Sequence, residues 1–91
     1  MSDLHTDETI FEFPCRFPIK AMGKNSAEFE AFVLTVINKH VKDLAEGAVQ
    51  SKPSKGDKWI SMTITITAQS KAQLDAIYLE LNRSELVVMT L

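Results

Sequence analysis

From Lys58 to Ala68 the chain reads Lys-Trp-Ile-Ser-Met-Thr-Ile-Thr-Ile-Thr-Ala, with Ile60, Met62, Ile64 and Ile66 on one parity and Ser61, Thr63, Thr65 and Thr67 on the other. A helix would scatter these residues round its axis. Only a strand, whose side chains alternate across a sheet, sorts them onto two faces. An apolar face needs a cover and a threonine-rich face does not. The parent sheet is therefore expected to be covered on one side and open on the other, as antiparallel sheets commonly are. That open side is the first surface to inspect for function.

The flanking sequence supplies partners for this strand. In Phe17-Pro18-Ile19-Lys20-Ala21-Met22-Gly23 the alternation groups Phe17, Ile19 and Ala21. Pro18 has no amide proton to give a ladder, so the central stretch is expected to start after it, and Gly23 to end it. Asn25 or Ser26 can cap a helix, Asn25 and Glu28 having capping-box spacing. Phe29, Phe32, Val33, Val36, Ile37, Val41 and Leu44 then follow on one helical stripe. Ala48 to Lys52 reads as a short strand. Lys52 to Lys58 holds the proline, glycine and charge of a hairpin turn with a basic tip, and Pro53 suits the end of an edge strand. Ser70 and Gln73 match a second capping box ahead of Leu74, Ile77, Tyr78 and Leu81, and Asn82 offers a stop. Glu85 to Leu91 is apolar and β-branched enough for a last strand.

The predicted order is strand, helix, strand, strand, helix, strand. Two split βαβ units with right-handed crossovers give an α+β, ferredoxin-like βαββαβ sandwich, with four antiparallel strands in the order 4-1-3-2 and both helices on one face. The expected core is Phe17, Ile19, Ala21, Phe29, Val33, Val36, Ile37, Ile60, Met62, Ile64, Ile66, Leu74, Ile77, Tyr78, Leu81, Val87 and Met89. Residues 1–10 are polar, acidic and aperiodic, and are expected to be mobile. Residues 11–91 would form one domain.

Composition narrows the function classes. The chain has 91 residues, of which 45% are apolar and 24% charged, the balance of a globular protein rather than a disordered tail. Ten Lys and Arg against twelve Asp and Glu leave a formal charge of −2. No broad electropositive footprint invites nucleic acid. A lone cysteine, Cys15, cannot form an internal disulfide, and the start Met-Ser-Asp-Leu-His-Thr-Asp-Glu lacks a secretory signal, so a cytoplasmic location is expected. No apolar run approaches the roughly 20 residues of a spanning helix, and no membrane association is expected.

Chemistries available to such a sandwich fail residue by residue. An RNA-binding sheet of the RNP type needs stacking aromatics where this chain has Ser61, Thr63 and Thr65, with only Trp59 near one end. Copper transfer needs paired thiolates, and Cys15 stands alone. His5 and His40 have no neighbours in sequence to complete a metal shell. Asp75 and Glu80 read as a solvated helix flank. No cofactor and no catalytic residue is expected. The segment Gly23, Lys24, Asn25 joins a strand end to a helix N-terminus and is a candidate ligand-binding loop for a small carboxylate, a turn glycine and helix cap being the plainer alternative. Met22, Trp59, Leu86 and Val88 share the parity of the open face and, with Lys20, are the candidate partner-binding residues. The expected partner is an unknown protein or a second copy in a homo-oligomer.

The motifs Phe13-Pro14, Phe17-Pro18-Ile19-Lys20-Ala21-Met22-Gly23, Lys52-Pro53-Ser54-Lys55-Gly56 and Leu86-Val87-Val88-Met89-Thr90-Leu91 together resemble the YbeD-like family of small bacterial proteins. The resemblance spans nearly the whole chain from Phe11. It implies a ferredoxin-like domain similar to the ACT domains that bind amino acids in metabolic enzymes, and it implies no assigned activity. By that likeness an effector would sit near Met22, Gly23 and Asn25, and no attached catalytic domain is expected for it to regulate.

Overall fold

The computed structural model describes residues 12–91. The segment 1–10 expected to be mobile, with His5, and also Phe11, lie outside the described residues. Six elements follow the order read from the sequence: β1 Cys15–Lys24, α1 Ala27–His40, β2 Val49–Pro53, β3 Trp59–Ala68, α2 Lys71–Leu81 and β4 Val87–Thr90. The sheet order β2-β3-β1-β4 is the expected one, and every pairing is antiparallel. The result is a ferredoxin-like sandwich.

The central pair β1 and β3 stays in register from Cys15 opposite Ala68 to Lys24 opposite Trp59. Ile19, Ala21, Met62, Ile64 and Ile66 point to the helices and are buried with Phe29, Val33, Val36 and Ile37 of α1 and Leu74, Ile77 and Leu81 of α2. Phe17 and Tyr78 close one flank of this core in an edge-to-face contact, ring centroids 6.5 Å apart. Burial raises the Tyr78 phenol above its ordinary pKa, and the hydroxyl donates to the Leu91 carbonyl at 2.7 Å.

β1 is longer than expected, because Pro18 does not delay it. Lys20 exchanges both backbone hydrogen bonds with Leu91, at 3.2 and 2.9 Å, so the even-numbered residues of β1 turn their peptide groups toward β4. Pro18 turns its missing N–H the same way, beyond the last pairing of β4, and loses no ladder bond.

The helix caps also differ in detail. Ser26 caps α1, its hydroxyl accepting from the Phe29 amide at 3.1 Å, and the Asn25–Glu28 box is not formed. Ser70 caps α2 by accepting from the Gln73 amide at 3.1 Å. Gln73 reaches back one residue further than a standard box: its Oε1 accepts from the Gln69 amide, and its Nε2 donates to the His40 carbonyl at 2.8 Å, tying the start of α2 to the end of α1.

The largest departure is in β4. Ala21 lies opposite Thr90 and Met22 opposite Met89, but Gly23 lies opposite Val87, so one extra residue is inserted beside the Met22–Gly23 step. Val87 therefore faces the core and is buried, whereas Val88 and Met89 are both exposed. Met89, expected in the core, belongs to the open face. Leu86, expected on the open face, is half-buried against the core.

Candidate functional site

The open face is built in rows, because paired residues of neighbouring strands stand side by side. One row runs Lys52, Ser61, Met22, Met89, set by the pairing of Lys52 with Ser61, Ser61 with Met22 and Met22 with Met89. The next runs Gln50, Thr63, Lys20, with Leu91 bonded to Lys20 at the β4 edge. On the other side of the first row Trp59 pairs with Lys24.

These rows form two adjoining shallow depressions. The first, of about 240 Å³, is lined by Met22, Trp59, Val88 and Met89. Trp59 is 40%, Val88 62% and Met89 48% exposed. The second, of about 550 Å³, is lined by Lys20, Gln50, Ser51, Lys52, Ser61 and Thr63. An apolar end and a cationic, hydroxyl-rich middle thus lie on one continuous surface. Four of the five expected partner-binding residues, Lys20, Met22, Trp59 and Val88, meet here; Leu86 does not.

The candidate ligand loop is differently built. Gly23 is buried, and a Cβ there would stand 2.2 Å from the Leu86 carbonyl oxygen and 2.4 Å from the Phe29 ring. Its missing side chain makes room for the fold, neither as a turn residue nor as a ligand cradle. The Asn25 amide donates to the Lys58 carbonyl at 3.0 Å and its Nδ2 to the Asp57 carbonyl at 3.1 Å. The amides of Phe29 and Glu30 are taken by the side chain and carbonyl of Ser26. The Asn25 donors are thus committed to the β2–β3 turn, and those of Phe29 and Glu30 to the helix cap.

A third polar cluster lies on the helix side. The Glu80 carboxylate is ion-paired to Lys39 and lies 2.9 Å from His40 Nε2. Hydrogen bonding from Lys39, then from His40, holds its pKa below the ordinary carboxylate value. This cluster ties the end of α1 to α2. Cys15 is half-buried in β1 against the core.

A family model described as "Protein of unknown function (DUF493)" matches residues 8–91. The chain belongs to this family. Among curated DUF493-like relatives, a UPF0250 protein of Chromobacterium violaceum is 44% identical over 84 residues, covering 92% of this chain and 94% of that one. A UPF0250 protein of Paraburkholderia phytofirmans is 39% identical over 85 residues, covering 93% and 96%. These matches bear out the YbeD-like resemblance. The solution structure of protein HP0495 from H. pylori superposes with a TM-score of 0.73 at 15% identity, covering 89% of this chain and 85% of that one, and shows the shared fold. No helix among the described residues is long and apolar enough to cross a membrane.

In this DUF493 chain, sequence reasoning missed Met89 and named Lys20 alone of the cations on the open face. The parity that placed Met22 on the open face also places Arg16, Lys20 and Lys24 there, so the charge of β1 was legible from alternation alone. Met89 was hidden by the inserted residue in β4, which carries no signature in its apolar sequence.

Proposed function

We propose that this chain is a non-enzymatic, cytoplasmic interaction or regulatory domain that acts by docking a separate protein, or a second copy of itself, on its open sheet face. The observation that carries the reading is the cluster of Met22, Trp59, Val88 and Met89 around one apolar depression. Large exposed apolar side chains gathered into a patch favour association, and an indole among them suits the aromatic anchor of a protein interface. The polar groups beside it are lysines, serine, threonine and glutamine spread over a shallow surface, without the convergent acid, base or nucleophile that catalysis needs. An amino-acid-like ligand at Gly23, Lys24 and Asn25 is the weaker reading, since both Asn25 donors are already used within the fold and Gly23 is closed off by Leu86 and Phe29.

The test is light scattering across a concentration series, with affinity capture by wild-type and Trp59→Ala protein. Self-association or capture that Trp59→Ala removes is the expected outcome. A strict monomer that captures nothing, or binding indifferent to Trp59→Ala, overturns the reading. A thermal-shift screen with amino acids addresses the loop: a ligand at a hundred times its dissociation constant adds about 2.7 kcal/mol of stability.

A further inference from the structure

We infer that the open face takes an acidic polypeptide segment in extended form, with one apolar side chain in the Met22–Trp59–Val88–Met89 depression and carboxylates over Lys20, Lys24 and Lys52. This rests on the reading of the open face as the contact surface and adds the chemistry of what binds there.

The two sides of the sheet differ in charge. The strands turn Arg16, Lys20, Lys24 and Lys52 to the open face, and none of the other side chains they turn there, hydroxyls, Gln50, Pro18 and the apolar cluster, is a carboxylate. The helices carry the carboxylates Glu28, Glu30, Asp75 and Glu80, while Asp43 and Glu46 of the loop after α1 line a separate depression with Arg16, Gln50 and Thr65, away from the apolar cluster. On the helices the lysines are neutralised, Lys39 by Glu80 and Lys71 by Asp75. Among the described residues no carboxylate comes within ion-pair distance of Lys20, Lys24 or Lys52. A chain of net charge −2 thus carries a cationic patch around Lys20, Lys24 and Lys52, which the overall count conceals.

Spacing matches charge. Met22 and Lys20 point the same way two residues apart on β1, about 7 Å along the strand. Side chains on one side of an extended segment recur at the same interval, so an apolar residue in the depression brings an acidic residue two positions away over Lys20. A second copy is a poor occupant, because two-fold pairing of this face with itself would set lysines against lysines. Nucleic acid is also poorly served, since Trp59 stands alone without the aromatic array on which successive bases stack.

Trp59 is the sole tryptophan and reports directly on the site. The full chain is titrated, following Trp59 emission, with three probes: a short peptide alternating glutamate and serine around one phenylalanine, the same peptide with lysine for glutamate, and an oligothymidylate. Saturable change with the acidic peptide alone is expected, weakened by salt and by about tenfold, or 1.4 kcal/mol, in each of Lys20→Glu and Lys52→Glu. Both lysines are exposed, and circular dichroism verifies that the variants fold. No change with the acidic peptide, an equal response to its lysine counterpart, or tighter binding of oligothymidylate overturns the inference. Partner capture lost in Trp59→Ala but untouched by Lys20→Glu would remove the acidic chemistry and leave the docking face standing; capture indifferent to both would remove both.

Discussion

Ile64 and Thr65 are adjacent in β3, yet they belong to regions governed by different physics. Ile64 is fully enclosed between the sheet and the helices, where close packing leaves no room for altered volume. Thr65 looks onto the open face, where side chains meet water on one side. The helix-covered side has settled its polar groups internally: Ser26 and Ser70 cap the helices, Gln73 bridges them and Glu80 holds Lys39 and His40. On the open side Lys20, Lys24 and Lys52 have no carboxylate partner among the described residues, and an indole, a valine and a methionine are exposed. One side is finished by folding; the other, on the reading proposed above, is finished by contact.

The difference can be measured, with the largest effects on the covered side. Ile64→Ala should cost about 2 to 5 kcal/mol in urea unfolding, because the enclosed site cannot collapse onto the space left. Thr65→Ala should stay within about 0.5 kcal/mol. Equal losses at the two positions would mean the open face is covered in solution. Gly23→Ala is next, at about 1 to 3 kcal/mol, since the new carbon meets the Leu86 carbonyl and the Phe29 ring and one of them is backbone. A stability-neutral Gly23→Ala would show that β4 and α1 do not close on this position.

The inserted residue in β4 reverses two assignments. Val87→Ala should cost about 1.6 kcal/mol, two buried carbons at about 0.8 kcal/mol each, while Met89→Ala changes stability by less than about 0.5 kcal/mol and weakens partner binding. A large cost for Met89→Ala beside that of Val87→Ala would restore the unbroken alternation, which puts both side chains in the core. The smallest effect belongs to Glu80. Its carboxyl pKa is lowered in the folded protein, so its contribution is fully present above the ordinary carboxylate range and is lost as pH falls through the lowered value. Glu80→Gln should lower the neutral plateau slightly, removing what the ionised carboxylate contributes there, and the two profiles should converge at acid pH, so that the variant's acid limb is flatter. An identical acid limb in the two proteins would show that the Lys39–Glu80–His40 cluster does not act in solution.

The strand order, both helices and nearly all of the core were legible in the chain, because each rests on local periodicity: period two for Ile60 to Ile66, helical spacing for Phe29 to Ile37 and for Leu74 to Leu81. The Ser26 and Ser70 caps follow from side-chain chemistry a few residues long. The misses share another cause. Pro18 sits inside β1 because β4 does not extend beside it, which depends on an element some seventy residues away. Asn25 serves the β2–β3 turn instead of its own helix, and Gly23 answers to Phe29 and Leu86, because tertiary approach competes for groups that local rules assign elsewhere.

Alternation within each segment thus determined two faces and which residues of β1 and β3 each receives. Only the assembled sheet decided what those faces carry. Its pairing set Lys52, Ser61, Met22 and Met89 in one row, and the extra residue in β4 moved Met89 out of the core. Side-chain parity is a property of one strand and is written in its sequence; register and bulges arise from the fit between strands, which no single strand encodes.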